Sequence, residues 1–432
     1  MLTTIKNAWK VPELRSRILF TLLCMLVFRL GSAIPVPFID TNTISELSKL
    51  YEGTIFGFMN VMSGGAFEQA KIFALSIQPY INASIIMQLL AVAIPALERL
   101  SKEGGEEGKK KIAAITRYVT IAIALIQGFA YYTLLKNGAG MNISFINNNG
   151  LSDALVGVII IATFTAGSAF IMWLGEQITE KGIGNGISMI LFISIISRVF
   201  PAIQSLIGNY ESLRWYGITA IVIVFLAVIA FIIFFDGAER RLSIQYAKRV
   251  VGRKMYGGRS THLPIKVNMS GVMPIIFASS IATFPATIAA FFPQKNAFWT
   301  WMLEKVFSPS SWPYAVFYLI LIVAFSYFYT AIQYNPTEIA NNLKNNGGFI
   351  PGFRPGKPTA DFITKVMNKI TLFGAFFLGV IAILPIIMGY LTPGINLSIG
   401  GTSVLIVVGV ALETVKQLES QLMMRNYKGF LE

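Results

Sequence analysis

The chain has a single cysteine, Cys24, and a single histidine, His262. One cysteine excludes an internal disulfide framework, and without a His/Cys cluster the common metal sites have no ligand set. Charge is scarce as well. Only 13% of the 432 residues are Asp, Glu, Lys or Arg, where a soluble domain carries about a quarter. No G-x-x-x-x-G-K-[ST] string occurs, so the loop that cradles nucleotide phosphates is missing. Gly182, Gly184 and Gly186 loosely imitate a dinucleotide fingerprint. No strand precedes them and no acidic residue follows at the required distance, so they read as a turn between helices. Carboxylates avoid the apolar segments: Asp40, Glu98, Asp153, Glu176, Asp236 and Glu338 fall in loops or at segment ends, and Glu413 comes nearest to an exception. An ion-coupled transporter keeps a carboxylate near the midplane. An enzyme would need a nucleophile, an acid–base pair or a cofactor site, and the chain offers no catalytic constellation, no metal site and no cofactor motif.

What is present is apolar surface. Hydrophobic residues make up 54% of the chain and mean hydropathy is +0.64, the composition of an integral membrane protein built from helices. Ten spanning segments are expected, at 18–34, 72–94, 112–135, 154–174, 183–200, 218–235, 272–292, 314–332, 370–390 and 400–418. The first, fifth and last are weakest by hydropathy. An even number puts both termini on one face. Of the 35 lysines and arginines, 27 fall on that face and seven on the other, with Arg29 inside a segment. By the positive-inside rule both termini are cytoplasmic. The first segment runs into Ile34-Pro-Val-Pro37 without a small-residue cleavage site, so it is expected to stay as a span.

The stretch 53–94 organises the rest. Thr54, Ile55, Phe56, Gly57, Phe58, Met59, Asn60, Val61 and Met62 have helix-like spacing but are too few to cross a bilayer, and Ser63, Gly64 and Gly65 break them. The segment that follows carries Gln78, Pro79, Asn82, Ser84 and Gln88 in its middle. Polar groups in hydrocarbon must face protein or water, so these residues either line a pathway or pack a re-entrant element tightly. Ten segments divide into two sets of five, which an odd number per half inverts in the membrane. The second segment contains Pro79-Tyr-Ile81-Asn-Ala83-Ser84-Ile-Ile86 and the seventh contains Pro274-Ile-Ile276-Phe-Ala278-Ser279-Ser-Ile281, both fitting P-x-I-x-A-S-x-I at corresponding positions.

Two cytoplasmic loops exceed what topology needs. One, 238–268, carries Arg240, Arg241, Lys248, Arg249, Arg253, Lys254, Arg259 and Lys266 against Glu239 alone. Its run from Arg241 alternates apolar and polar residues as a strand does, and Gly257-Gly258 supplies a turn. The other, 341–369, is rich in Gly and Pro and carries Lys344, Arg354 and Lys357. Either the charge only fixes orientation, or the loops dock an acidic partner or a nucleic-acid backbone. Three functions stand at this point: a passive polypeptide channel, a secondary transporter of a small solute, and a scaffold with no pathway.

Longer strings narrow the choice. Phe28-Arg-Leu-Gly31, Ser84-Ile-Ile-Met-Gln-Leu-Leu90, Met172-Trp-Leu-Gly-Glu-Gln-Ile-Thr179, Gly182-Ile-Gly-Asn-Gly-Ile-Ser188, Ser260-Thr-His-Leu-Pro264, Ile350-Pro-Gly-Phe-Arg-Pro-Gly356 and Gly400-Gly-Thr-Ser403 are spread over nearly the whole chain. With them the chain resembles the SecY family, the large subunits of bacterial protein-conducting channels. The resemblance implies an all-α membrane protein whose ten transmembrane helices form two inverted five-helix halves, a clamshell around a central hourglass pore. It implies a cytoplasmic tail 1–17, an N-terminal half 18–207 with a plug at 53–66, a C-terminal half 208–419 with loops 237–270 and 334–369, and a tail 420–432. The halves would hinge between segments five and six and part between two and three on one side, seven and eight on the other.

By the same resemblance a pore ring falls on Ile77, Ile81, Ile187, Leu191, Ile276 and Ile406, with Leu191 where isoleucine is commoner. A lateral-gate polar cluster falls on Asn82, Gln127 and Asn268. Unfolded secretory polypeptides would cross through the ring, and transmembrane segments would leave sideways into lipid. The implied partners are SecE and SecG subunits, the SecA motor or the ribosome on the basic loops, signal peptides and membrane lipids, in the plasma membrane of a bacterium.

Overall fold

The computed structural model describes residues 2–39, 60, 62–136, 146, 152–208, 210–246, 249–251, 254–256, 260–289, 301–302, 306, 311–391 and 401–428. Helices stand at all ten expected segments: α2 (Pro12–Gly31), α3 (Gln78–Ala93), α5 (Gly105–Lys136), α6 (Asp153–Lys181), α7 (Gly186–Ser197) continued by α8 (Val199–Gly208), α9 (Tyr210–Asp236), α10 (Met273–Ala289), α11 (Trp312–Gln333), α13 (Lys357–Leu391) and α14 (Gly401–Lys428). Shorter polar-faced helices, α1 (Leu2–Lys10), α4 (Pro95–Lys102) and α12 (Pro336–Asn345), join them. Among the described residues, five stretches are each long and apolar enough to cross a membrane alone, including Gly105–Lys136 and Asp153–Lys181. Gln78–Ala93 with Pro95–Ser101 makes a sixth if taken as one span bent by 106°.

The second segment starts later than its hydropathy suggests. Residues 72–77 form turns, and the helix begins at Gln78. The reason is Pro79: proline lacks an N–H and is tolerated in the first turn of a helix but not in its interior. What reads as a proline in mid-span is therefore a helix start. The far end obeys the same chemistry, because Pro95 forces Ile94 into extended geometry (φ −106°, ψ 113°) and the chain turns into α4.

The glycine-rich turn at 182–186 is the corner between α6 and α7. Gly184 has φ +80°, a left-handed conformation that glycine adopts without strain. A β-carbon on Gly186 would lie 1.8 Å from the Gly175 carbonyl oxygen, so the two helices touch backbone to backbone there. Asn185 caps α7 by accepting from the Ile187 and Ser188 amides, and Thr179 Oγ1 accepts from the Gly186 amide at 2.9 Å.

Helices α2, α3, α5, α6 and α7 pack among themselves, as do α9, α10, α11, α13 and α14. The two sets meet along two seams, α3 and α5 against α10 on one side and α7 against α14 on the other. At the cytoplasmic loops the strand expected from Arg241 is β1 (Glu239–Tyr246), paired antiparallel with β4 (Ser260–Lys266), and between them lies a small hairpin of β2 (Arg249–Val251) and β3 (Lys254–Tyr256). The Gly257-Gly258 turn lies outside the described residues. β5 (Gly348–Phe349), from the other basic loop, joins β1 so that the sheet order is β4-β1-β5. Leu242, Ile244, Ile265, Leu343, Ile350 and Ile363 form a small core beneath it. The two loops are thereby one body.

Pro264 sits in the terminal strand of that sheet. Val267 donates to the Ala238 carbonyl at 3.0 Å, so hydrogen-bonded pairs alternate from there and the pair Arg241–Pro264 is a non-bonded one. The missing N–H of Pro264 therefore faces the open edge, where it costs no ladder bond and discourages a further strand.

Candidate functional site

The six aliphatic residues expected at the waist lie on or beside four helices. Ile77 precedes α3 as its N-cap and Ile81 lies one turn on; Ile187 and Leu191 are spaced i, i+4 on α7; Ile276 and Ile406 come from α10 and α14. The i, i+4 spacing puts both members of a pair on one helix face. All six belong to one packed cluster drawn from both sets of helices, with Ile187 partly buried and the other five buried. The six side chains themselves carry no hydrogen-bonding group for water or ions, although the wider cluster includes Tyr314 and Tyr318.

Beside it lies the root of the short element before Gly64. Residues 54–59 and 61 lie outside the described residues; Asn60, Met62, Ser63, Gly64 and Gly65 are within them. Met62 is buried in the same cluster as the six aliphatics. Ser76 Oγ donates to the Met62 carbonyl at 3.1 Å, and Gly65 N donates to the Asn60 carbonyl at 2.9 Å. Gly64 and Gly65 have φ +66° and +90°, which closes a turn that L side chains resist. Asn60 donates through Nδ2 to Glu68 Oε2, and its Oδ1 accepts from the Glu68 amide at 3.1 Å. Arg198, at the end of α7, reaches the same Glu68 Oε2 at 3.3 Å. Arg29, the one charge expected inside a span, donates through Nη1 to the Gly64 carbonyl at 3.3 Å. That carbonyl belongs to the glycine break.

The three polar residues assigned to the seam do not form one hydrogen-bonded group. Asn82 and Gln127 are buried on α3 and α5, and Gln127 Oε1 has no partner among the described residues. Asn268 stands apart: its Nδ2 donates to Asp236 Oδ1 at 3.2 Å, because the sheet returns the chain to the end of α9 before α10 begins. Lys416 of α14 reaches the other oxygen of Asp236 at 3.2 Å. The polar link across the α3–α10 seam is instead Gln78 Nε2 to Ser280 Oγ, 3.3 Å, with both residues buried. Sequence reasoning marked Gln78 but missed its partner. A signal was available, since Ser280 lies one turn from Ile276 on the same helix. Glu68 and Arg198 were also missed as a pair, being 130 residues apart.

Of the basic loop residues, Arg240, Arg241, Lys344, Arg354 and Lys357 are exposed. Arg241 pairs with Glu239 at 2.7 Å, and Thr359 Oγ1 donates to the Arg354 carbonyl at 2.7 Å. The Arg249 and Lys254 backbones lie in β2 and β3; Lys248, Arg253 and Arg259 lie outside the described residues. Phe353, next to Arg354, stacks on Phe362 with ring centroids 4.1 Å apart, which stiffens the loop from which the guanidinium projects.

Comparison with known proteins agrees with this architecture. The SecY family model matches residues 71–415. The protein translocase subunit SecY of Streptomyces coelicolor is 44% identical over 438 residues, covering 100% of both chains. A solved protein-conducting channel superposes with a TM-score of 0.64 at 17% identity, covering 96% of each chain. Sec61 in a canine ribosome–channel complex from the endoplasmic reticulum superposes with a TM-score of 0.61 at 16% identity, again covering 96% of each chain.

Proposed function

The chain belongs to the SecY family, and from that premise we propose that it is the central subunit of a protein translocation channel. Unfolded secretory polypeptides pass through its waist, and transmembrane segments leave through the α3–α10 seam into lipid. The observation that carries this reading is that Ile77, Ile81, Ile187, Leu191, Ile276 and Ile406, from both helix sets, all belong to one hydrophobic cluster. A solute transporter needs convergent polar ligands at that point. An aliphatic waist instead excludes ions by dewetting while closed. No polar bond ties the six together, so an extended chain can part them and be gripped on all sides. The element at 53–66 fills the outer funnel as a plug, consistent with Met62 packing on the cluster.

The joined basic loops form the docking platform for a motor ATPase of the SecA kind or for a ribosome. The channel carries no nucleotide loop of its own, so the driving force comes from the partner. The charge asymmetry supports cytoplasmic termini in a bacterial plasma membrane, and family membership supports small SecE and SecG subunits beside the two halves.

The test is leakage. In vesicles holding the full channel complex, Ile81→Ser with Ile276→Ser puts hydroxyls into the collar and is expected to raise resting ion flux severalfold. A tight double variant refutes the collar. A crosslinker at Ile81 is expected to capture a stalled secretory chain.

A further inference from the structure

We propose that Asp236 is a positioning residue of the channel: it fastens the neck of the basic platform to α10 and α14, so that a partner's load on the platform reaches the ring residues those helices carry. The inference rests on reading the joined loops as a docking platform and the α3–α10 seam as the exit. Asp236 closes α9 where the chain enters the sheet, and both of its carboxylate oxygens are used. Oδ1 accepts from Asn268 Nδ2 and Oδ2 from Lys416 Nζ, each at 3.2 Å, and the Asp236 carbonyl accepts from the same ammonium at 3.5 Å. Asn268 Oδ1 is buried without a partner among the described residues, so this amide hangs on Asp236 alone. Glu413, the carboxylate nearest to lying inside an apolar segment, belongs to the same group, within electrostatic reach of Asp236, Lys266 and Lys416. Two anions and two cations are thereby gathered where the sheet meets the helices.

The neck is stiff on its sheet side. Glu239 pairs with Lys266, and the Val267 amide donates to the Ala238 carbonyl at 3.0 Å. From there the connector 267–272 leads directly into α10 and lies against helices of the same half. A β-carbon on Gly374 of α13 would stand 2.8 Å from the Val267 carbonyl oxygen, and one on Gly409 of α14 would stand 2.4 Å from Val272 Cγ2. Gly271 turns the connector with φ +63°, and Met269 and Ser270 are buried. Ile276 follows in the first turn of α10, and Ile406 lies earlier on the helix that carries Glu413 and Lys416. A tilt of the sheet therefore reaches both ring residues through packed, rigid elements, as long as the connector, α9 and α14 stay tied at Asp236. Among the described residues the Asp236 bond is the connector's one side-chain hydrogen bond. With it cut, the neck takes up the load by bending.

The experiment uses the full-length chain in its complete complex in nanodiscs, with a fluorescent pair on the exposed ends of α3 and α10. Binding of the motor ATPase, held by a non-hydrolysable ATP analogue, is measured separately. In the parent, docking is expected to raise the open fraction of the seam. Asp236→Asn keeps an acceptor for Asn268 and removes the charge, while Lys416→Met removes the other partner and keeps an apolar stem. Each is expected to cut the docking-induced opening about three- to tenfold, the effect of a partly shielded charged contact. Motor affinity and resting open fraction are expected within about twofold of the parent. The double variant is expected to do no worse than either single, the non-additivity of a shared contact. Lys416→Arg keeps the charge and is expected to open like the parent. A merely structural role predicts a lower thermal midpoint, weaker docking and a normal seam response once the motor is saturating; that result overturns the proposal. Full opening in both single variants, or additive losses in the double, does the same. If the parent's seam ignores bound motor, the platform reading falls and this inference with it. If the parent opens and Asp236→Asn opens equally, the inference alone fails.

Discussion

The seam between α3 and α10 holds a single described side-chain hydrogen bond, and the two ends of that bond respond to mutation with opposite signs. Ser280→Ala removes the acceptor of Gln78 Nε2, whose bond is 3.3 Å long. Interhelical hydrogen bonds of this kind contribute about 0.6 kcal/mol on average in a membrane. Gln78 is only 4% exposed, however, and its Oε1 already lacks a partner among the described residues. Stripping the donor as well leaves a whole amide buried and unpaired, a loss of about 1–3 kcal/mol at the extreme. The seam is therefore expected to open about three- to a hundredfold more readily, at 1.4 kcal/mol per factor of ten. Gln78→Leu behaves differently. It gives up the same bond but also removes the orphaned oxygen and adds apolar contact in a buried position. The Ser280 hydroxyl left behind can bond a carbonyl of its own helix, and the orphaned amide oxygen is gone, so this variant is expected to hold the seam closed. A fluorescent pair placed on the exposed ends of α3 and α10 in nanodiscs reads the open fraction directly, and export of a substrate with a weakened signal sequence reads it in cells. Opening by both variants, or by neither, would refute the assignment of Gln78 as a marginal latch.

Two further substitutions probe other levels. Gly186→Ala forces a β-carbon to within 1.8 Å of the Gly175 carbonyl; since the neighbour is backbone, α6 and α7 must separate, at about 3 kcal/mol or more, and the variant is expected to fail to accumulate in the membrane. Normal accumulation with a parental thermal midpoint contradicts the backbone contact. Arg354→Glu reverses an exposed charge on a stiff loop far from the waist, and is expected to slow motor-driven secretion about tenfold by weakening encounter with the partner while membrane insertion falls less. Equal losses in both assays point to a misfolded loop instead.

Much of this architecture is legible in the chain because a bilayer imposes simple rules. Segment count follows from length and hydropathy, and the strand at Arg241 follows from strict alternation. Positions decided by pairing between distant residues are not legible in the same way. Nothing local to Glu68 announces Arg198, and nothing local to Asn268 announces that the β1–β4 sheet will return it to Asp236 rather than to the seam. Pro264 is an intermediate case. Its place in an alternating run argues against a strand until the register shows its nitrogen turned to the open edge.

The repeat at Pro79 and Pro274 is where sequence and structure inform each other most. Both prolines occupy the second residue of a helix, and both helices start with the same pair of bonds: the Tyr80 and Ile81 amides share the Ile77 carbonyl, and the Ile275 and Ile276 amides share the Val272 carbonyl. The shared string thus encodes one local device, used once in each half. A proline fixes where the helix begins, and the isoleucine two residues later is set on the first turn, buried in the hydrophobic cluster. Ile81 and Ile276 reach the same aliphatic cluster for the same covalent reason, from helices of opposite halves. Proline inside an apolar segment suggests a kink that exposes polar backbone to a pathway; here it does the reverse, placing a helix start where an aliphatic side chain closes one. Leu191 and Ile406 have no such marker, since they sit in helix interiors, whereas Ile187 is the second residue of α7 behind the Asn185 cap. Their selection depends on how α7 and α14 pack against each other, which is a property of the assembled halves and of no single segment.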